Sequence, residues 1–335
     1  MRAAGSLFFL LVLVACGGSS APSPSGPTAP GGTPAQVRIG GRITDAITGS
    51  PVAGASVTLG GAAAVLAGTA GDWQVEMAAA AATGRVLTTV TAAGFIPRDT
   101  YVSAVGGRQD VTIDLLPDRE PFSLAFYREM VRDGLEAPSS LEAIRRWTAN
   151  PDFYVRTINP RTDQPLPPSE VETIVQNIRE AVQQVTGGLL SAGQIETGVA
   201  ERPRRAGTIN IDIVYEPTED YCGTAFVGAN PGLVTFNYDR CARECGGRAV
   251  GPELVAHEVG HALGFWHVGQ GVMQPSGFID CSTVNFTAQE RLHGSLAYRR
   301  PTGNSDMDKD PLTFAALAPL GESPLIRCPR KPAAR

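Results

Sequence analysis

The stretch His257–Glu258–Val259–Gly260–His261–Ala262–Leu263–Gly264–Phe265–Trp266–His267 decides how the chain is read, because it orders its residues as H-E-x-x-H-x-x-G-x-x-H. Gly251, Pro252 and Glu253 just upstream mark a helix start. Proline at the first helical position loses no useful donor, and an acid in the first turn suits the helix dipole. Leu254, Val255, Val259, Ala262 and Leu263 can bury one side of that helix. His257 and His261, four residues apart, then stand one turn apart on one face. Gly264 accepts the left-handed conformation that stops a helix, and the turn returns His267 as a third nitrogen. Three histidines leave a fourth position for water, the pattern of a catalytic zinc. Glu258, beside the first of them, is placed to take a proton from that water. The chain has four histidines and three are here, so a helix with incidental histidines is the poorer reading.

This spacing resembles the metzincin signature of zinc endopeptidases. Gly271–Val272–Met273–Gln274–Pro275 resembles the Met-turn beneath the zinc of that family, with Met273 as the matching methionine. The Met-x-Pro form is similar to the matrixin branch. The resemblance implies a zinc endopeptidase acting on polypeptides, with His257, His261 and His267 as ligands and Glu258 as general base. It also implies an α+β catalytic domain, a twisted mixed sheet with a backing helix and an active-site helix. An edge strand in that family pairs with substrate main chain, and by order it is Gly223–Thr224–Ala225–Phe226–Val227–Gly228. One catalytic zinc is expected. No histidine precedes His257, so the positions for a structural zinc of matrixins are unmatched and a second zinc is not expected. Matrixins are often kept latent by a propeptide cysteine on the zinc. No cysteine lies between Cys16 and Cys222, so that mode is not expected.

Upstream, residues 1–15 read as a signal peptide. Arg2 precedes the apolar run Leu7–Val14, which is too short to span a bilayer as a helix. Leu13–Val14–Ala15–Cys16 resembles a bacterial lipobox, which implies cleavage before Cys16, lipidation of its thiol and anchoring at a membrane surface. An ordinary secretory signal is the alternative; in a Gram-negative host the following Gly17 points to the outer membrane. Residues 16–36, rich in Gly, Ser and Pro, form a flexible tether. Residues 37–118 carry short β-type runs at Arg42–Thr44, Ser56–Leu59, Trp73–Val75, Val86–Thr91 and Val111–Leu115, split by turn signals. They predict a small all-β sandwich, and the wording is similar to carboxypeptidase-regulatory-like domains. No cluster there points to catalysis, so a spacer or adhesive module is expected.

Residues 119–150 form a connector with helix-like patterns at Glu120–Gly134 and Ser139–Ala149. The catalytic domain, residues 151–300, opens on a strand at Phe153–Ile158. Apolar residues from Val171 to Val185 at helical spacing follow, with Glu170 and Glu172 in the first turn. Strands at Ile209–Tyr215, Gly223–Gly228 and Leu233–Asp239 come next. Beyond the Met-turn, Thr287 and Glu290 form a capping box for a helix over Ala288–Tyr298. His293 on that helix reads as a packed residue. Residues 301–335 are a proline-containing tail, expected to be peripheral. Asp306–Met307–Asp308–Lys309–Asp310 resembles the start of a calcium loop, but Pro311 stands where Gly is needed. A solvated acidic loop is therefore preferred to Ca2+ there.

Cys222, Cys241, Cys245, Cys281 and Cys328 fit two disulfides and one thiol left over, with the pairs open. Net charge is −5 and lysine occurs only at 309 and 331, which gives no basic patch for nucleic acid. The alternative function is a catalytically silent, surface-binding lipoprotein with a metal-stabilised domain.

Overall fold

The structure, a computed structural model, describes residues 36–238, 250–275, 284–313 and 322–329. The chain separates into two compact units, Met1–Ala35 and Gln36–Arg335. All described residues belong to the second. The signal peptide, most of the tether, Cys16, Cys241, Cys245 and Cys281 lie outside the described residues.

The first seven strands are β1 (Gln36–Asp45), β2 (Ser56–Leu59), β3 (Val65–Leu66), β4 (Asp72–Ala78), β5 (Arg85–Thr91), β6 (Arg98–Ser103) and β7 (Arg108–Leu115). They form a three-stranded sheet, β4-β1-β7, and a four-stranded sheet, β3-β2-β5-β6. Ile39, Trp73 and Ile113 from the first sheet share one apolar core with Val57, Val90 and Val102 from the second. Alternation produces this: β2 and β6 bury every second residue. β6 has no counterpart in the sequence reading because its buried face carries Arg98 and Thr100 beside Val102, a pattern that does not look apolar.

α1 (Leu124–Arg132) follows, its start capped by the Ser123 side chain, which accepts from Phe126 N–H. The second helix expected over Ser139–Ala149 does not form. That segment is irregular and anchored by tertiary bonds: Ile144 N–H donates to Asn304 O, and the Trp147 indole donates to Ala262 O at 2.9 Å. Burial of Ile144 and Trp147 overrides local helical preference.

The remaining strands are β8 (Asp152–Arg156), β9 (Ile158–Asn159), β10 (Gln164–Pro165), β11 (Ile195–Gly198), β12 (Thr208–Val214), β13 (Tyr221–Phe226), β14 (Gly232–Asn237) and β15 (Leu325–Pro329). β9 and β10 pair with each other; the others build a six-stranded sheet, β11-β8-β12-β14-β13-β15. Its first four strands run parallel, and β13 and β15 are antiparallel to their neighbours. The helices are α2 (Pro168–Val185), α3 (Pro252–Ala262) and α4 (Ala288–Tyr298). α2 turns Ile174, Ile178, Ala181, Val182 and Val185 inward, each buried Ile or Val contributing roughly 1.5–3 kcal/mol. α3 packs on α2 and against β13 and β14, and it is buried nearly all round. The architecture is thus α+β. Among the described residues no helix is long and apolar enough to cross a membrane.

The expected tail is not peripheral throughout. Asp310 binds Arg98 and Thr100, and residues 325–329 form a strand of the main sheet. The carboxylates of the expected acidic loop are engaged by protein groups: Asp306 by Arg128, Asp308 by Arg300 and Asn304, and Asp310 by Arg98, Thr100 and Asn304.

Candidate metal centre

α3 begins at Pro252 after Gly251 and ends at Ala262. Gly264 follows at φ +108°, and a Cβ there would lie 1.7 Å from Arg145 O. Only glycine allows this turn, which carries the chain round to His267. Trp266 N–H donates to Met130 O at 2.7 Å, fastening the turn to α1. His257, His261 and His267 are thereby brought together, at 0, 0 and 2% exposure.

Each ring is held from behind. His257 Nδ1 donates to Val272 O at 2.6 Å, His261 Nδ1 to Phe265 O at 2.8 Å, and His267 Nδ1 to the Glu136 carboxylate at 2.6 Å. These partners are acceptors only, so in the neutral rings every Nδ1 carries the proton and every Nε2 is a bare lone pair. The three Nε2 atoms nevertheless converge, with those of His257 and His261 2.9 Å apart. Lone pairs facing lone pairs in a buried space need a cation or a donor between them. The Cys328 sulfur is the fourth atom there, 2.8 Å from His257 Nε2, 3.6 Å from His261 Nε2 and 3.7 Å from His267 Nε2. All four ligand atoms lie within 4.8 Å of one another. The donor set, imidazole nitrogens with a thiol and with acceptors behind the rings, fits a metal ion.

Burial shapes the chemistry. Desolvation, with the neighbouring His267 adding to it, lowers the His257 pKa to about 3. Desolvation, helped by His257 and His267, also takes His261 well below the ordinary range. Both rings are therefore neutral and available as ligands. Desolvation pushes the Glu258 carboxyl up to about 8. Neither Glu258 oxygen has a hydrogen-bond partner meeting ordinary geometric limits, although the carboxyl is fully buried and the Cys328 thiol lies close enough to oppose that rise. Burial, with Glu258 adding to it, raises the thiol well above its usual range.

Met273 is fully buried beneath α3. A Cβ on Gly260 would meet its sulfur at 2.6 Å, so the helix rests directly on the methionine. Met273 N–H donates to Glu290 Oε1 and Met273 O accepts from Val268 N–H. The capping box of α4 thus also holds this turn.

Gly223, Thr224, Ala225 and Phe226 lie on β13, while Val227 and Gly228 lie just past its end. β13 is not an edge: β15 covers its outer side. Gly223 faces the cluster closely, since a Cβ there would sit 2.2 Å from Glu258 Oε1. His293 is outside the site. Its Nδ1 donates to Gln289 O, its Nε2 accepts from Ser123 N–H, and its ring stacks on Phe122.

Two contributors, Glu136 and Cys328, were missed in the sequence, and Gly223 was named only for its strand. Nothing distinguishes Glu136 among the acids of the connector. For Gly223, expected in the substrate-pairing strand, the close approach to Glu258 is what the sequence did not show. Cys328 did leave a signal, the odd thiol among five cysteines. Among the described residues it is the free one, whereas Cys222 is disulfide-bonded.

No family model matches the chain. No curated protein matches its sequence. Among solved structures, a Bacteroides fragilis protein of unknown function is 18% identical, with a TM-score of 0.19. It covers 46% of this chain, and this chain spans 45% of it. Metalloproteinase-II from Bacteroides fragilis is 10% identical and covers 76% of this chain and 84% of its own, with a TM-score of 0.31. These likenesses are too slight to carry the reading, which stands on the cluster itself.

Proposed function

We propose that the chain is a zinc-dependent endopeptidase of the metzincin, matrixin-like kind. The observation that carries this is three imidazoles, each anchored through Nδ1, converging on one point beside a buried carboxyl. His257, His261 and His267 would hold one zinc, which when bound supplies a Lewis acid that lowers the pKa of water to about 7. Glu258 accepts the proton of the attacking water and passes it to the departing amine. Val272 O, Phe265 O and Glu136 keep the rings turned inward. An extended polypeptide could pair with β13 only where β15 now lies, a mode of binding that makes limited side-chain demand. Met273 forms the floor under α3. The sandwich of β1–β7 fits a spacer resembling carboxypeptidase-regulatory-like domains. Lipidation at Cys16 would anchor the exported protein to a membrane surface.

A second reading, a catalytically silent surface-binding lipoprotein with a closed metal site, is favoured by one observation. Cys328 supplies a fourth donor, and structural zinc sites are closed by four ligands. Glu258 weighs against it: a closed site does not need a buried, unpaired carboxyl, and leaving one costs stability.

The deciding experiment is Glu258→Ala with zinc content, unfolding and peptide cleavage measured together. Zinc and fold should be retained while cleavage falls by about a hundredfold to ten-thousandfold, the usual worth of a general base. A folded, zinc-loaded variant cleaving at the parental rate would defeat the assignment.

A further inference from the structure

Cys328 reaches the histidines on a strand that occupies the sheet edge beside them. Without β15, β13 would be the edge of a five-stranded sheet. β15 runs antiparallel to it, setting Leu325 opposite Phe226, Ile326 opposite Ala225, Arg327 opposite Thr224 and Cys328 opposite Gly223. Val227 N–H also donates to Pro324 O at 2.9 Å. This is the way an extended peptide adds to a sheet edge, except that the peptide is the chain's own. The register matters: Cys328 lies opposite the glycine whose missing side chain makes room for Glu258. The thiol therefore meets the carboxyl and all three Nε2 atoms at one point.

We propose that Pro324–Pro329 is an intramolecular inhibitor, filling the peptide track along β13 and presenting the Cys328 sulfur as fourth ligand to a metal held by His257, His261 and His267. The inference rests on the endopeptidase reading and adds its regulation. While the segment is seated, its backbone takes the place of a substrate and its sulfur takes the place of water. A thiolate is a strong ligand for a zinc-like ion, and tethering keeps its local concentration high. The hold on the rest of the segment is light. Arg327 is 63% exposed and pairs with a half-exposed Glu219, and Leu325 is half exposed too. Ile326 and Cys328 are the buried side chains among its described residues. Its departure would withdraw two side chains, Ile326 and Cys328, from the core that α3 shares and leave Met273 and the rest of that core in place.

The test uses the full chain loaded with cobalt(II), which reports a thiolate ligand by a near-ultraviolet charge-transfer band, and the zinc-loaded chain for cleavage of a quenched peptide library. The parent should show the band and Cys328→Ser should lack it. Cys328→Ser should cleave faster on the order of a hundredfold, the low end of the advantage tethering gives a ligand. Adding Glu258→Gln to Cys328→Ser should abolish that gain. Arg327→Glu places a like charge against Glu219 without touching the cluster; it should keep the band and cleave faster than the parent by a smaller factor. It serves as the second variant if Cys328→Ser fails to fold. A parent without the band, or parent and variants cleaving at one common rate, overturns the inhibitor and leaves the endopeptidase standing. A band that behaves as expected while no variant cleaves any peptide sinks the endopeptidase reading, and the inhibitor with it.

Discussion

Two buried polar constellations differ in one respect. Around Arg300, fully buried, every guanidinium nitrogen has an acceptor. Nε donates to Asp308 at 2.8 Å, Nη1 to Asp114 at 2.8 Å, and Nη2 to Asp308 at 2.9 Å. Asn304 Nδ2 completes the set on Asp308 and Asp310. Positive and negative groups interleave, and the cluster joins β6 and β7 of the sandwich to the chain beyond α4. Around His261 the inner ring nitrogens are all acceptors, and Glu258 has no hydrogen-bond partner of ordinary geometry. Burial penalises both constellations. The first pairs its charges within itself; the second offers four converging ligand atoms to an ion from outside.

Removing a partner from each should separate them. Arg300→Ala leaves the buried carboxylates Asp308 and Asp114 without their main cation, and breaking such a pair costs about 3–5 kcal/mol. Denaturant unfolding should show that loss, while the folded fraction still binds zinc as the parent does. An Arg300→Ala protein as stable as the parent would mean that the cluster holds nothing together. A smaller effect is expected from Glu136→Ala. It frees His267 Nδ1 and should weaken zinc binding by about 10–100-fold, the usual worth of an outer partner of a ligating histidine. Glu136 is half exposed, so unfolding of the metal-free protein should barely move. Competition with a chelator measures the first quantity and thermal melting the second. Loss of stability without loss of zinc would reverse the roles given to the two clusters.

The legible parts of this molecule are those whose reason is local. The helix α3, its stop at Gly264 and the return of His267 follow from periodicity and one left-handed glycine. α4 follows from Thr287 and Glu290, whose capping box is complete. Most strands show their alternation. The illegible parts depend on partners far along the chain. β6 buries Arg98 because Asp114 and Asp310 await it. The segment around Trp147 forgoes a helix for bonds to residues more than a hundred positions away. Cys328 could be counted as the odd thiol, but its meeting with His257 across 71 positions requires the pairing of β15 with β13. Two residues of β15 point inward and carry no periodic signal long enough to register.

The smallest effect is expected from Asp114→Asn, and it concerns pH. Burial works to raise the Asp114 carboxyl, but Arg300 and Arg98, by charge and by hydrogen bonds, outweigh it and hold the group below its usual range. Above the ordinary aspartate value, about 3.9, both folded and unfolded chains are ionised at this site and the stabilisation is fully present. As pH falls below that value the unfolded chain takes up the proton first, and the stabilisation is lost as pH drops through the folded pKa. The parent's melting temperature should therefore carry an acid limb beginning near pH 4, to which Asp114 contributes. Asparagine binds no proton in this range, so the variant should melt lower at neutral pH and fall less steeply into acid. Its deficit should stay well below that of Arg300→Ala, because Arg300 keeps Asp308 and Arg98 keeps Asp310. A variant whose acid limb runs parallel to the parent's would show that Asp114 is not held ionised by the arginines. The interleaving of charge that distinguishes this cluster from the histidines would then lose one of its members.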